Sequence, residues 1–215
     1  MTISVPRLDR LSPQERGITI ADFLVPIRLS DGIGVRARHV ALIVAGTLLI
    51  ALAARFEFYL PNDPFVPVTG QTFAVLLTGG ALGFRRGIAS TALYLVLGVV
   101  GLPVFAGGAQ GVEFITGGHG GYLVGFILAA AIVGRLAELG WDRNLVRSLG
   151  AMLIGEAAIF GLGVPWLAYT SDKPLAWAIT YGLTPFLIGD GVKMALAAAT
   201  FPAAWWIVGR RPGDR

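Results

Sequence analysis

Leu183-Thr184-Pro185-Phe186-Leu187-Ile188-Gly189-Asp190-Gly191-Val192-Lys193 opens an apolar run that continues to Val208 and whose only ionisable side chains are Asp190 and Lys193. The run is long enough to cross a bilayer, which takes about 20 mostly apolar residues. Ionisable groups inside hydrocarbon cost several kcal/mol, so they are rare there and mark ligand or ion sites. At i, i+3 on a helix the two side chains share a face. That face offers an acceptor of negative charge beside a donor of positive charge, shielded from water. The structural alternative is a mutual ion pair that fastens this helix into a bundle, and one pair can do both.

Outward from this run the chain keeps the same character. Of its 215 residues, 55% are hydrophobic and 14% charged, with a mean hydropathy of +0.71. Soluble domains carry about a quarter charged residues, so the composition predicts a multi-pass membrane protein. The pI near 9.8 is no nucleic-acid footprint, because the lysines and arginines fall in loops between apolar runs. There is no cysteine, which excludes disulfides and thiolate chemistry.

Six apolar segments are predicted as membrane helices, over residues 39–56, 72–83, 88–101, 121–139, 145–169 and 183–208, giving an all-α six-helix bundle. The second and third are short for an upright span. Residues 1–36 read as an N-terminal extension with no signal-peptide core, residues 37–209 as the membrane domain and residues 210–215 as a C-terminal tail. Within the extension, residues 18–29 are either a short surface helix or, as preferred here, plain tail. The extension, Arg85-Arg86, residues 135–147 and Arg210-Arg211 carry most of the positive charge and fall on one side of an even helix count. By the positive-inside rule both termini are cytoplasmic, and Asp190 lies about 10 Å below the outer surface at 1.5 Å per residue.

Two outer loops stand over that site. Residues 59–71 hold three prolines that stiffen the chain, with Thr69 and Gln71 offering a hydroxyl and a carboxamide at the inner end. A plain connector is the alternative. Residues 101–122 are rich in glycine, including Gly107 and Gly108, which lets backbone approach a ligand closely; a run this long reads as a lid. It has neither a dinucleotide-binding pattern nor a Walker lysine. His119 reads as a loop residue, because no partner stands at metal-ligand spacing. Glu156, about three turns into the fifth helix, is expected to hydrogen-bond in the bundle, pair with Lys193 or sit uncharged, with a structural role preferred over ligand contact. Tyr94, Trp166 and Tyr169 are read either as cavity walls or as interface anchors.

Three stretches resemble a known family. Pro67-Val68-Thr69-Gly70-Gln71-Thr72-Phe73-Ala74-Val75-Leu76-Leu77 is the first. Gly101-Leu102-Pro103-Val104-Phe105-Ala106-Gly107-Gly108, followed by Gly120-Gly121-Tyr122-Leu123, is the second. Pro185-Phe186 leading to Gly189-Asp190 and Lys193 is the third. In order and register they are similar to the BioY family of biotin transporters, over about residues 38–208. The resemblance implies an S component of an energy-coupling factor transporter, a non-enzymatic membrane protein that captures biotin from outside. Its implied partners are a transmembrane coupling subunit and two cytoplasmic ATPases, and no cofactor of its own. The candidate ligand contacts are Asp190, Lys193, Gln71, Thr69, Gly107, Gly108, Tyr122, Tyr94, Glu156 and Trp166. Ala41 and Ala45, at small-xxx-small spacing, are implied to dock the coupling subunit, with generic membrane-helix alanine as the alternative. Two departures stand out: Gly117-Gly118-His119-Gly120-Gly121-Tyr122 where the family commonly has Gly-Pro-Thr-Gly-Gly-Tyr, and Ile188 where proline often precedes Gly-Asp. An S component for another vitamin and a solitary proton-coupled carrier are the remaining readings. An intramembrane enzyme finds no convergent nucleophile, base or metal ligands in the sequence.

Overall fold

The computed structural model describes residues 19–24, 32–60 and 63–208. The expectations for residues 1–18, 25–31 and 209–215 lie outside the described residues. The chain is mostly helical: α1 (Ile20–Leu24), α2 (Gly32–Ala53), α3 (Gln71–Val99), α4 (Val112–Thr116), α5 (Gly120–Glu138), α6 (Leu145–Thr170), α7 (Leu175–Gly182) and α8 (Leu187–Val208). Four stretches are long and apolar enough to cross a bilayer: 36–53, 120–138, 145–170 and 175–206. Together they make this a multi-pass membrane protein.

Helix α3 is continuous in sequence but not in space. Gly83 breaks it with φ 80° and ψ −179°, a backbone conformation that only glycine reaches without strain. The two arms then fold back on each other. The Gln71 amide donates to the Tyr94 hydroxyl at 2.7 Å, although 23 residues of straight helix would separate them by about 34 Å. Two short sequence segments therefore form one helical hairpin whose corner carries Arg85 and Arg86.

Helix α5 lies at the centre, packed along α3 on one side and α6 on the other, while α2 leans mainly on α3. Its small residues let backbones meet: a Cβ on Gly125 would come within 2.8 Å of the Ile159 Cα. Lipid supplies no hydrophobic drive between helices, so such close approach carries much of the association. Local signals set the helix ends. Gly140, with φ 84°, terminates the α5 region, and the Asn144 side chain accepts from Val146 N–H at 2.9 Å to start α6.

The structure corrects several expectations. The first outer loop is not an irregular connector but an antiparallel ribbon of β1 (Glu57–Leu60) and β2 (Asp63–Thr69), pairing Glu57 with Thr69 and Phe58 with Val68. Pro64 and Pro67 fit there because a two-stranded ribbon has free edges where no N–H is needed. The second outer loop is partly structured, with a 3-10 turn at Ala106–Gly108 and α4. Helix α7 was not expected, and a 3-10 turn at Thr184–Phe186 separates it from α8.

Thr19 and the helix α1 that follows it are docked against the bundle, not plain tail. Asp22 pairs with Arg38 at 3.0 Å and Arg86 at 2.8 Å, and it also accepts the Thr19 hydroxyl at 2.9 Å. Burial alone would raise its carboxyl, but the Arg86 hydrogen bonds and charge, helped by Thr19, hold it at about 2 against 3.8. The stability this linkage supplies is present above pH 3.8 and is lost as pH falls toward 2. Asp22→Asn is expected to cost about 1–2 kcal/mol at neutral pH after allowing for solvent screening. Thermal unfolding in detergent should show the gap from wild type closing between pH 4 and 2.

Candidate functional site

The hairpin, the second loop and the start of α8 converge on one chamber. From the end of β2 and the first turn of α3 come Thr69, Gln71 and Thr72, and from α8 come Asp190 and Lys193. Helix α5 supplies Tyr122, Leu123 and Phe126, and α6 supplies Ile159 and Phe160. Ala106, Phe114, His119 and Phe186 complete the wall. The chamber and its open mouth together hold ≈ 540 Å³ of atom-free space.

Its polar groups gather on one wall. Lys193 Nζ donates to Asp190 Oδ1 at 2.7 Å and to the Thr69 carbonyl at 2.6 Å. The Thr72 hydroxyl donates to the same Asp190 oxygen at 3.1 Å. Asp190 is only 4% exposed, so the ion pair is held where water screens it little. Lys193 also ties α8 to the end of the ribbon.

Hydrogen-bonding capacity remains unspent on this wall. An ammonium has three donors, and Lys193 uses two. Asp190 Oδ2 and Gln71 Oε1 accept nothing from the described residues. Thr69 Oγ1 accepts from Gln71 N–H at 3.2 Å, leaving its own proton free to donate. Free acceptors and donors thus share the chamber with a largely apolar remaining lining.

The floor is aromatic. Phe114 stacks between Phe105 at 5.0 Å and His119 at 4.4 Å, and Tyr94 meets Phe105 edge-on at 5.6 Å. Phe160 sits edge-on to Tyr122 at 6.1 Å and 6.2 Å from Phe186. Burial pushes the His119 imidazole below its ordinary value, so it presents a neutral ring near neutral pH.

Of the residues expected at a site, Asp190, Lys193, Gln71, Thr69 and Tyr122 line the chamber. Tyr122 also donates to the Gly182 carbonyl at 2.8 Å, joining α5 to the end of α7. Tyr94 stands behind Gln71, fully buried. Trp166 is half exposed and donates to the Gly117 carbonyl at 2.8 Å, so it secures the loop from outside. Gly107 and Gly108 do not form the wall. Their left-handed turn seats Ala106 there instead, and the space a Cβ would need is taken by Glu57 and Arg55. Glu156 lies a turn beyond Ile159, 6% exposed, and neither carboxylate oxygen has a hydrogen-bond partner among the described residues. It does not pair with Lys193.

Sequence reasoning missed the aromatic floor. Phe114 and Phe160 sit in segments with no periodic signal to set them apart, and His119 was placed in a loop without its stacking partner. Thr72 was legible only as the residue after Gln71.

A multi-pass membrane bundle enclosing a chamber with one polar wall belongs to the class of small-molecule-binding membrane proteins. The sequence profile of the BioY family matches residues 26–210, and the chain belongs to that family. It is 37% identical over 158 residues to the biotin transporter BioY of Thermotoga maritima, covering 73% of this chain and 90% of that protein. It is 34% identical over 170 residues to the biotin transporter BioY of Rhodobacter capsulatus, covering 74% and 88%. A crystal structure of the S-component for biotin from an ECF-type ABC transporter shares the fold with a TM-score of 0.74 at 24% identity, covering 86% of this chain and 97% of that one.

Proposed function

We propose that this protein captures biotin at the outer face of the cytoplasmic membrane, as the substrate-binding S component of an energy-coupling factor transporter. Six spans carry it in this reading: α2, the two arms of α3, α5, α6 and α8. Both termini are then cytoplasmic. In support, the arginine-bearing end of the α3 hairpin meets the last residue of α5, just before the α5–α6 connection, through the Phe84 N–H bond to Glu138 at 2.9 Å. The far end of α8 joins the same region through the Trp205 bond to Asp142 at 2.6 Å.

The observation that carries the ligand assignment is the unspent capacity around the Asp190–Lys193 pair. Biotin brings a ureido group with two N–H donors and one acceptor, a carboxylate, and an apolar ring and chain. In this reading Asp190 accepts one ureido N–H. Lys193 donates to the ureido oxygen or to the carboxylate, Gln71 and Thr69 complete the polar shell, and the aromatic floor holds the ring and chain. The chain carries no P-loop, so the ATP-driven step belongs to partners: a transmembrane coupling subunit and two cytoplasmic ATPases. Ala41 and Ala45 are exposed on α2, where a coupling helix has access to them.

Isothermal titration of the purified protein with biotin, riboflavin and thiamine tests the reading. Saturable heat is expected with biotin alone. Tight binding of either other vitamin, with none of biotin, would sink it.

A further inference from the structure

The corner where α3 reverses builds a second cavity, distinct from the chamber. Asp22 of α1, His39 and Ile43 of α2, Leu82, Phe84, Arg85 and Arg86 at the corner, and Arg135 and Glu138 of α5 enclose ≈ 1280 Å³ of atom-free space, mouth included. Three arginines face two carboxylates, and both carboxylates are already committed. Asp22 is held by Arg38, Arg86 and Thr19. Glu138 accepts from Phe84 N–H and Arg135. Arg86 is spent on Asp22, Thr19 and the Leu82 carbonyl.

What remains is cationic and open. Arg85 is exposed and has no hydrogen bond or ion pair among the described residues. Arg135 is 62% exposed in its side chain and gives only one nitrogen to Glu138, at 3.1 Å. His39 is exposed on the facing helix. Beside this rim stands an apolar wall of Ile43, Leu82 and Phe84, the last 40% exposed.

A guanidinium rim against an apolar wall at the end of a membrane helix hairpin matches a phosphodiester with its first acyl carbons. We infer that this cleft binds the headgroup phosphate of an anionic membrane lipid, with Arg85 as the principal contact and Arg135 beside it. A free phosphate would satisfy the rim but leave the apolar wall wet. The inference needs only the membrane location of the bundle and is independent of which ligand the chamber takes.

The test uses the purified full chain in neutral detergent, titrated with short-chain phosphatidylglycerol, phosphatidylcholine of the same chains, or inorganic phosphate. Thermal unfolding and native mass spectrometry are the readouts. Phosphatidylglycerol is expected to raise the unfolding temperature and remain as one bound lipid, while the other two do neither. Arg85→Gln should weaken its apparent affinity about five-fold, and Arg85→Gln with Arg135→Gln about 20-fold or more, at about 1 kcal/mol for each basic side chain near a charged surface. Arg85→Lys should fall between wild type and Arg85→Gln. Arg85 supports no other described contact, so its loss leaves the fold intact. Equal responses to the two lipids, or an unchanged response in the double variant, would overturn the inference. Inorganic phosphate acting as strongly as phosphatidylglycerol would overturn the lipid in favour of a soluble anion.

Discussion

Lys193→Met should reduce ligand affinity at least about 100-fold, the largest single-residue effect expected in the chamber. The substitution keeps side-chain length and apolar volume but removes three things together. The donor to the ligand goes, and a hydrogen bond to a charged group is worth about 1.5–3 kcal/mol. The bond to the Thr69 carbonyl at 2.6 Å goes, which releases the end of the ribbon from α8. Asp190 is left with the Thr72 hydroxyl as its sole described partner. Breaking a buried pair from one side costs about 3–5 kcal/mol, because the other charge stays behind. The unfolding temperature should therefore fall as well as the affinity.

A second substitution separates the two losses. Asp190→Asn in the Lys193→Met background removes the stranded charge, so stability should return toward wild type while binding does not. Titration calorimetry and thermal unfolding on the four proteins of the cycle measure both couplings. Should the double variant regain near wild-type affinity, the pair would be a structural fastening and the ligand's polar contacts would have to lie elsewhere.

This cycle probes the part of the molecule that the sequence made most legible. A charged pair in an apolar run carries its own signal, since hydrocarbon penalises every unexplained charge. The bounds of α5 and α6 were legible for a related reason: a long apolar run ended by glycine, arginine or asparagine leaves little choice of register. Thr69 and Gln71 could be read because they sit between a proline-rich strand and an apolar helix.

The aromatic floor was not legible, because Phe114, Phe160 and Phe186 come from three segments that only the tertiary fold brings together. Helix α7 and the ribbon were hidden by composition: proline and glycine signal a break without saying whether a strand or a helix turn fills it. The docking of residues 19–24 depended on Arg38 and Arg86, which are distant in sequence, and topology had already explained the charge of Arg86. A residue that satisfies one rule conceals its second role. The same logic holds for Gly83, whose place between two short spans was visible but whose left-handed conformation was not.

Gly134→Leu should prevent recovery of folded protein, because the α3 corner rests directly on the backbone of α5 at that point. A Cβ on Gly134 would lie 2.6 Å from the Gly83 carbonyl carbon, 2.7 Å from Phe84 N and 2.8 Å from the Gly83 oxygen. All three are backbone atoms of the turn, so no side chain can swing aside. Gly83 cannot yield either, since its φ of 80° already places it where only glycine is comfortable. The corner must move as a body. That movement pulls Phe84 N–H from the Glu138 carboxylate one turn further along α5, and it shifts Arg86 against Asp22. Overpacking costs about 1–3 kcal/mol per small increment, so Gly134→Ala should lower the unfolding temperature yet still fold. Leucine adds three more carbons at the same contact and is expected to exceed what a marginally stable bundle tolerates. The chamber lies at the other end of the α3 arms, so the alanine variant should keep its ligand affinity within about three-fold while losing stability. Size-exclusion profiles, unfolding temperatures and titration calorimetry on the two variants read out each part. A leucine variant as stable as wild type would mean that α3 and α5 do not meet at this glycine, and the hairpin would need another support.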